Sequence, residues 1–460
     1  MNGRVKRLLH PYNIDVSDVT IESEPDPKLV AEIGPWISAA LSDISVTSAI
    51  SSSWKLHFRE DSCLICDSCP TSISRFVQHS EVAESLLPPS VGSSSFSRHL
   101  KEIGPFLKPL GKDQPRMETG SLKRLRCCIK AFNRCRTPGS DVQPEVDSIA
   151  VNVEKGIRVD ILHFFEFHLL RHLLLDNDSE LIQSLRCTQP LVVKGGKSRS
   201  EFYETCDGRF IIKSLLSSEL KNWEKKNVAF IWYYMNTIFH SYPSILVPFL
   251  GVFVVHTSVP TESRAYVVMR NMARLISGAI TFDLKGMGPQ RSKMSASVNE
   301  RDPRCLGESI GTQEVLWDGD LRSIWNHEPI LVDEQLLEYL RLSLDNDTMF
   351  LSALDSVDYS MILSYNRIGH AGSHTDSMSV GIVDYLRNFT WDKRLESVVK
   401  SINSNISAVR DRIPWRIGAQ TQDSLQNYNL ELEKAPTIIN PDLYAKRFRN
   451  NIISLFQPWK

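Results

Sequence analysis

A turn with two adjacent glycines, followed by a strand-like segment that carries one lysine, constrains this chain more than any other sequence feature. Gly195 and Gly196 follow an apolar run, and the sequence RFIIKSL at residues 209–215 resembles a strand with Lys213 near its end. Residues 218–235 then have helical character, and further strand-like segments follow. Because glycine lets the backbone approach an anion closely, this order predicts a nucleotide-binding α+β lobe. Other α+β domains show the same order, and an ordinary hairpin turn also explains the glycines.

Further apolar segments predict the remaining elements. Residues 243–255 form the longest apolar run, which is too short to span a bilayer and predicts two buried strands. The periodicity predicts a strand at residues 148–153 and helices at residues 160–175, 333–345 and 441–456.

The composition is that of an ordinary globular protein without a global charge field. The chain has 460 residues, of which 42% are hydrophobic and 23% charged, and its formal net charge is −1. This balance predicts no nucleic-acid partner, and attraction to a charged surface would require a local patch. The basic N-terminal residues lack the apolar stretch of a signal peptide, so a reducing, cytoplasmic setting is expected.

The nine cysteines are therefore expected to be free thiols or metal ligands rather than disulfides. A structural zinc site in the N-terminal region is one hypothesis, because CxxC spacing supplies zinc ligands. The candidate ligands are Cys63, Cys66, Cys69, Cys127, Cys128 and Cys135. The second cluster lacks a clean CxxC pair, so the spacing only partly matches a zinc site.

Several charged residues have positions suited to phosphoryl transfer. That chemistry needs a glycine lid over the phosphates, a lysine to hold them and carboxylates for Mg²⁺ and the attacking hydroxyl. The lid candidates are Gly195, Gly196, Lys197 and Ser198, the lysine is Lys213, and the carboxylates are Asp283, Asp358 and Asp384. Each aspartate borders an apolar run, a pattern that also fits a turn or a helix cap. The chain has no protein-kinase signature and no Walker motif.

The ordered set of motifs resembles the phosphatidylinositol phosphate kinase family. The motifs are GGKS at 195–198, FDLKG at 282–286, NDTMFL at 346–351, VDYSMIL at 357–363, GIVDYLRNFTWDKRLESVVKS at 381–401 and PTIINPDLYAKRF at 436–448. The resemblance implies a two-lobed, SAICAR synthase-like α+β fold with mainly antiparallel sheets. It implies a catalytic domain at residues 186–460, preceded by an N-terminal region of unclear fold at residues 1–185.

Within the family, the motifs are most similar to the type III branch. The resemblance implies an ATP- and Mg²⁺-dependent phosphotransferase that phosphorylates phosphatidylinositol 3-phosphate at the 5-position. It also implies a peripheral position on endosomal or vacuolar membranes, with a scaffold or regulatory protein as a further partner. Phosphatidylinositol 4-phosphate 5-kinase and 5-phosphate 4-kinase activities are alternatives, as is a weakly active scaffold that binds phosphoinositide.

The resemblance also implies a role for each candidate residue. ATP would be bound by the four lid residues, by Lys213 and Glu219, and by Met269 and Asn271 at the hinge; Glu224 is an alternative partner for Lys213. Asp283 and Lys285 would face the phosphates, Asp358 would orient the inositol hydroxyl, and Asp384 would bind Mg²⁺. Asn346 and Asp347 are equally compatible with a structural role.

The substrate and the membrane would be contacted by a further group of residues. Its members are Arg291, Trp391, Lys393, Arg394 and Lys400. Core packing of the tryptophan and solvation of the basic side chains are the alternative interpretation.

Three residues depart from the family pattern: Arg199 after the lid, Arg270 in the hinge and Met287 after DLKG. They are the basis of the scaffold alternative, whereas retention of Lys213 and the three aspartates favours an active enzyme.

Overall fold

The computed structural model describes most of the two lobes and leaves several segments undescribed. The described residues are 4–5, 7–13, 31–57, 148–175, 178–191, 200–239, 242–258, 261–276, 278–287, 291–292, 315–324, 327–365, 377–389 and 439–459. The predicted lid, the predicted membrane residues from Trp391 to Lys400 and the cysteines of the zinc hypothesis lie outside these ranges.

Fifteen strands and eight helices are formed by the described residues. The strands are β1 Arg4–Val5, β2 Arg7–Leu9, β3 Ser148–Glu154, β4 Ile157–Leu162, β5 Thr188–Pro190, β6 Phe202–Thr205, β7 Phe210–Leu215, β8 Phe249–Ser258, β9 Thr261–Arg270, β10 Ile280–Leu284, β11 Val315–Trp317, β12 Ile330–Val332, β13 Ser360–Tyr365, β14 Ser377–Val383 and β15 Phe456–Pro458. The helices are α1 Ile33–Leu41, α2 Ile44–His57, α3 Phe164–Leu174, α4 Asp178–Leu185, α5 Ser217–Phe239, α6 Asp318–Ile324, α7 Glu334–Ala353 and α8 Pro441–Ile453.

The strands form one large antiparallel sheet and two smaller sheets. The seven-stranded sheet has the order β3-β4-β8-β9-β7-β6-β5, and all its neighbouring strands are antiparallel. The five-stranded sheet, β11-β10-β13-β14-β2, has antiparallel pairs at its centre and parallel pairs at both edges. A three-stranded parallel sheet, β1-β12-β15, lies beside it in the second lobe. The predicted α+β fold with mainly antiparallel sheets is confirmed.

Strands from the first part of the chain belong to these same sheets. β3 and β4 extend the seven-stranded sheet through β8, whereas β2 adds to β14 and β1 to β12. The boundary between an N-terminal region and a catalytic domain at residue 185 remains a prediction. The sheets contain strands from both sides of this boundary.

Two of the predicted elements have different limits in the structure. Asp160 lies in β4, and α3 begins only at Phe164, after His163 takes a left-handed conformation with φ 49°. The alternation of residues 157–162 pairs this segment with β8, so it is a strand rather than the first turn of the helix. Residues 243–255 form one strand, β8, preceded by an extended segment with a single bridge from Leu246 to Ile382.

The expectation that the cysteines are not paired is wrong for two of them. Cys187 and Cys206 form a disulfide across the start of β5 and the end of β6. Their Cα atoms are 5.4 Å apart, because β5 and β6 are antiparallel neighbours and bring residues 19 positions apart side by side.

The core of the second lobe is organised around α7. Asp347 on this helix is fully buried and accepts hydrogen bonds from Tyr233 on α5, at 2.6 Å, and from Ser244 and the Ile245 N–H, at 2.5 and 2.8 Å. Asn346 donates to the carbonyl of Pro243 at 3.0 Å. Both residues therefore fix the segment that precedes β8, which agrees with the structural alternative.

Among the helices that the structure describes, none combines the length and the apolar character that crossing a bilayer requires.

Candidate active site

Lys213 lies in the cleft between the lobes, held by two carboxylates. It is on β7, and its side-chain nitrogen lies 3.0 Å from Glu219 Oε1 and 2.8 Å from Asp384 Oδ1. Glu219 is in the first turn of α5, where its other oxygen accepts the N–H of Leu216 at 2.9 Å and caps the helix. Glu219, rather than Glu224, is therefore the partner of Lys213 in this structure.

The electrostatics of this group favour the charged form of each member. Burial alone would lower the pKa of Lys213, but Asp384 and Glu219 outweigh this effect and raise it above its usual value. Desolvation by the surrounding protein would raise the pKa of Asp384, yet the charge and hydrogen bond of Lys213, with a contribution from Lys285, hold it below its usual range. Asp384 is thus an anion at neutral pH, as a Mg²⁺ ligand must be.

Asp358 lies between two cations on the other side of the cleft. It follows α7 and precedes β13, and its Oδ1 accepts a 2.6 Å hydrogen bond from Lys285 Nζ. Lys285 also donates to the main-chain oxygen of Asp358 at 2.7 Å. Arg387 donates to Oδ2 of the same carboxylate. Both side-chain oxygens of Asp358 are therefore engaged by positive groups.

The turn that presents Lys285 requires a glycine. Gly286 has φ 63°, and an added Cβ would lie 2.8 Å from the Cα of Phe448 on α8. Its carbonyl accepts a 2.9 Å hydrogen bond from Asn451. The close packing of this turn on α8 sets the direction of Lys285 toward Asp358.

Arg291 is held by two carboxylates and a tryptophan. It donates to Asp283 Oδ2 at 2.9 Å and to Asp318 Oδ2 at 2.7 Å, and its guanidinium lies 5.0 Å from the ring centre of Trp317. Asp318, at the start of α6, also accepts the backbone N–H groups of Lys285 and Met287. Burial raises the pKa of Asp318, although Arg291 opposes this effect.

Asp283 retains one carboxylate oxygen without a partner. Its Oδ1 is buried and has no hydrogen-bond partner within the described part of the chain. A buried acceptor of this kind is costly unless a ligand, ion or water satisfies it. This observation is compatible with the predicted position of Asp283 beside the ATP and substrate phosphates.

The predicted hinge residues lie at the end of β9. Met269 pairs with Ile211 on β7 and Phe249 on β8, whereas the buried Asn271 donates its N–H to the carbonyl of Arg209 at 2.9 Å. Arg270 is buried and donates to the carbonyl of Leu174 at 2.7 Å.

The loop that follows Asp384 is held by α5. Asn222 donates to the carbonyl of Leu386 at 2.9 Å and accepts from Asn388 at 2.8 Å. Lys226, one turn further on, donates to Asn388 and to the carbonyl of Leu354. Burial lowers the pKa of Lys226 to about 8. The same helix thus positions the Asp384 loop and the end of the segment that leads to Asp358.

The structure brings together most of the predicted site residues that it describes. Lys213, Glu219 and Asp384 form one group, Asp358 and Lys285 a second, and Asp283 with Arg291 a third. Sequence reasoning missed Asp318 and Arg387, which contact predicted residues directly. Their only sequence signal is proximity to an apolar strand, which many surface residues share.

The donor set fits a nucleotide-bound Mg²⁺ better than a metal site made of protein ligands alone. Among the described residues, no group of three or more histidine, cysteine or acidic side chains is arranged to hold a metal. Mg²⁺ usually binds through one or two carboxylates together with substrate phosphates and waters. The Asp384 side chain, which is 43% exposed, fits that role.

The fold and the site place this protein in the class of two-lobed kinase folds. The defining features are the lysine–glutamate pair, the facing aspartates and the antiparallel sheet of the first lobe. Residues 185–379 match the family model described as Phosphatidylinositol-4-phosphate 5-Kinase. The resemblance of this segment to the phosphatidylinositol phosphate kinase family is therefore confirmed, and the relatives described next confirm the resemblance to its type III branch.

Three curated relatives illustrate the similarity. The chain is 30% identical over 318 residues to 1-phosphatidylinositol 3-phosphate 5-kinase FAB1 of Saccharomyces cerevisiae, a match that spans 66% of this chain and 12% of that protein. It is 30% identical over 288 residues to the human 1-phosphatidylinositol 3-phosphate 5-kinase, across 62% of this chain and 12% of the relative. The putative FAB1C enzyme of Arabidopsis thaliana is 26% identical over 322 residues, 68% of this chain and 17% of that protein. The matches thus span less than a fifth of the length of these relatives.

Proposed function

We propose that this chain transfers the γ-phosphate of Mg·ATP to the 5-hydroxyl of phosphatidylinositol 3-phosphate and produces phosphatidylinositol 3,5-bisphosphate. The observation that carries the proposal is the contact of Lys213 with both Glu219 and Asp384, across from the Lys285–Asp358 pair. A phosphate-binding lysine, a metal-binding carboxylate and a hydroxyl-orienting carboxylate are the parts that phosphoryl transfer needs.

Each residue has a defined task in this proposal. Lys213 binds the α- and β-phosphates, and Glu219 keeps its ammonium group in the cleft. Asp384 would hold Mg²⁺, which when bound would supply charge neutralisation to the nucleotide phosphates. Asp358 accepts the proton of the inositol hydroxyl. The hydroxyl oxygen bonds to the γ-phosphorus while the bond from that phosphorus to ADP breaks, and ADP leaves.

Two regions of opposite charge separate the metal side of the cleft from the substrate side. Lys213 with Glu219 and Asp384 carries a net negative charge, which attracts a divalent cation. Asp358 with Lys285 and Arg387 carries a net positive charge, which attracts an anionic headgroup. This arrangement supports an acceptor that already carries a phosphate.

The choice of phosphatidylinositol 3-phosphate rests on the relatives. The yeast and human proteins described above bear the name of this activity. The site geometry is equally compatible with the 4-phosphate and 5-phosphate isomers. Family membership implies a membrane lipid as substrate, and we place the protein peripherally on endosomal or vacuolar membranes by the same analogy.

A comparison of acceptor isomers tests the proposal. Liposomes with equal fractions of phosphatidylinositol 3-, 4- or 5-phosphate, or with unphosphorylated phosphatidylinositol, would be incubated with labelled Mg·ATP, and the product headgroup would be analysed. We expect the highest kcat/KM for the 3-phosphate, with 3,5-bisphosphate as product. A clear preference for the 4-phosphate would overturn the assignment of substrate while leaving the assignment of reaction class intact.

A measurement of nucleotide binding distinguishes the kinase proposal from the scaffold alternative. If the protein is folded, binds phosphoinositide liposomes and shows no thermal stabilisation by Mg·ATP, the kinase proposal fails and the scaffold alternative is favoured. The contact of Met287 with Asp318 is made by its backbone N–H, which does not depend on the side chain, so this departure does not favour the scaffold alternative.

A further inference from the structure

Arg387 has a fixed backbone and a partly exposed side chain next to the proposed hydroxyl-orienting residue. It lies three positions after Asp384. Its carbonyl accepts the N–H of Val357 at 3.0 Å, and the N–H of Phe389 donates to the carbonyl of Asp355 at 3.0 Å. These two hydrogen bonds connect residues 355–357 to residues 387–389. The base of the Arg387 side chain is consequently held in place, while 44% of the side chain is exposed.

The guanidinium of Arg387 uses only part of its hydrogen-bonding capacity in this structure. Its single hydrogen bond within the described residues runs from Nη1 to Oδ2 of Asp358. An arginine carries several N–H donors in a planar fork that matches phosphate geometry. The remaining donors can therefore bind a phosphate without any movement of the backbone.

The contact also has a consequence for Asp358. Lys285 occupies Oδ1 of this carboxylate and Arg387 occupies Oδ2. A residue that accepts a proton must lie within hydrogen-bond reach of the hydroxyl with an oxygen available to it. Each oxygen can still accept a second hydrogen bond, but the departure of one cation would open a further acceptor position of Asp358 to the hydroxyl. Arg387 is the more exposed of the two, since the Lys285 side chain is 17% exposed and makes a second bond to the main chain.

We propose that Arg387 is a specificity-determining residue that binds the phosphomonoester already present on the inositol ring and, in doing so, releases Oδ2 of Asp358. The proposal rests on the lipid kinase function proposed above and deepens it. Without the ring phosphate, the guanidinium stays on Asp358 and competes with the hydroxyl for Oδ2. When the ring phosphate binds, the charge-assisted contact moves to the phosphate and Oδ2 becomes fully available to the hydroxyl.

If Arg387 only positioned Asp358, the kinetic effects of its removal would differ from those expected for a residue that binds the ring phosphate. If the arginine only orients Asp358, its removal lowers kcat for every acceptor by the same factor and leaves KM unchanged. If it binds the ring phosphate, the loss depends on whether the acceptor carries that phosphate.

The experiment compares Arg387→Gln and Arg387→Lys with the wild-type protein. Arg341→Gln is the matched control, because Arg341 is an exposed arginine on α7 whose ion pair in the described region is with Glu338. kcat and KM are measured with phosphatidylinositol 3-phosphate and with unphosphorylated phosphatidylinositol. Binding of the water-soluble dibutanoyl forms of both lipids is measured separately by calorimetry, which does not depend on turnover.

We expect Arg387→Gln to lower kcat/KM for the 3-phosphate roughly 10- to 100-fold, the range of a hydrogen bond to a charged group. Its effect on unphosphorylated phosphatidylinositol should be small or favourable. The soluble 3-phosphate should lose affinity by a comparable factor, whereas the unphosphorylated form should not. Arg387→Lys should be intermediate, because it keeps the charge and loses the planar fork, and Arg341→Gln should match the wild type.

Three results would overturn the inference: an equal loss for both acceptors at unchanged KM, no loss at all, or a wild-type protein that binds both soluble lipids equally. A wild-type protein that prefers the soluble 3-phosphate through Arg387 but transfers no phosphate would instead refute the kinase function and leave the recognition role standing. Unchanged stabilisation by Mg·ATP in Arg387→Gln would show that the Lys213 side of the cleft is intact.

Discussion

Two aspartates of the candidate site occupy a backbone conformation that residues other than glycine rarely adopt. Asp358 has φ 64° and Asp384 has φ 61°. Aspartate and asparagine tolerate this region better than other non-glycine residues, and such conformations cluster where function demands them. The two carboxylates are directed into the cleft from short, fixed loops rather than from regular elements.

Replacement of Asp384 by asparagine tests its role at the residue scale. Asparagine keeps the shape and tolerates the left-handed backbone, but it removes the charge that faces Lys213 and the proposed Mg²⁺. We expect kcat to fall on the order of 100-fold or more, with a melting temperature close to that of the wild type. Steady-state kinetics and a thermal melt provide the check. A variant that retains the wild-type kcat would rule out Asp384 as a metal ligand.

The sequence predicts some site residues and cannot predict others. Lys213 and Asp384 stand out because each is a charge at the end of an apolar strand, and such a charge is costly unless it is paired. Arg387 and Asp318 also follow apolar strands, but many surface residues share that position, so it predicts no contact. Their contacts depend on how the loop after β14 and the start of α6 approach Asp358 and Lys285, which is a property of the folded chain.

At the scale of elements, α5 and α7 hold in place the loops that carry Asp384 and Asp358. α5 carries Glu219 in its first turn, and its next turns bind the loop after Asp384. α7 leads directly to Asp358 and anchors the approach to β8 through Asp347. The pKa of Asp347 is raised to about 7 by burial, because the surrounding hydrogen bonds offset that effect only in part.

Replacement of Asp347 by asparagine should destabilise the second lobe. The three groups that contact this carboxylate all donate hydrogen bonds, so an amide nitrogen in place of one oxygen leaves a buried donor facing another donor. We expect the free energy of unfolding to fall by about 1–3 kcal/mol, measured by urea denaturation. Asp345→Asn is the control on the same helix; its ion pair with Arg449 is partly exposed, and we expect a loss below about 1 kcal/mol. Equal losses for the two variants would contradict the anchoring role of Asp347.

Helices and strands are predictable where the hydrophobic periodicity and the length of a segment indicate the same type of element. The patterns predict the helix around residues 218–235 and the strand at 148–153, which are present as α5 and β3. Periodicity predicts too early a start for α3, because the apolar residues of β4 continue directly into the helix. β1 and β2 contain two and three residues, too few for any pattern, and only their pairing with β12 and β14 identifies them.

At the scale of the whole molecule, segments far apart in sequence form each lobe. The first lobe combines β3 and β4 with the lysine-bearing sheet, and the second combines β1 and β2 with strands near the end of the chain. The family motifs predicted the lobes and the cleft between them. They could not predict that strands before residue 186 belong to all three sheets, nor the Cys187–Cys206 disulfide, because these features depend on long-range pairing.

The central claim is that the cleft around Lys213 transfers the γ-phosphate of ATP to a phosphoinositide. The most direct measurement is transfer of labelled γ-phosphate to liposomes with phosphatidylinositol 3-phosphate by the wild type, by Lys213→Ala and by Lys221→Ala, in which an exposed lysine of α5 is removed. We predict labelled phosphatidylinositol 3,5-bisphosphate with the wild type and Lys221→Ala, and none above background with Lys213→Ala. No labelled lipid from a folded, liposome-bound wild type, or undiminished product with Lys213→Ala, would contradict the claim.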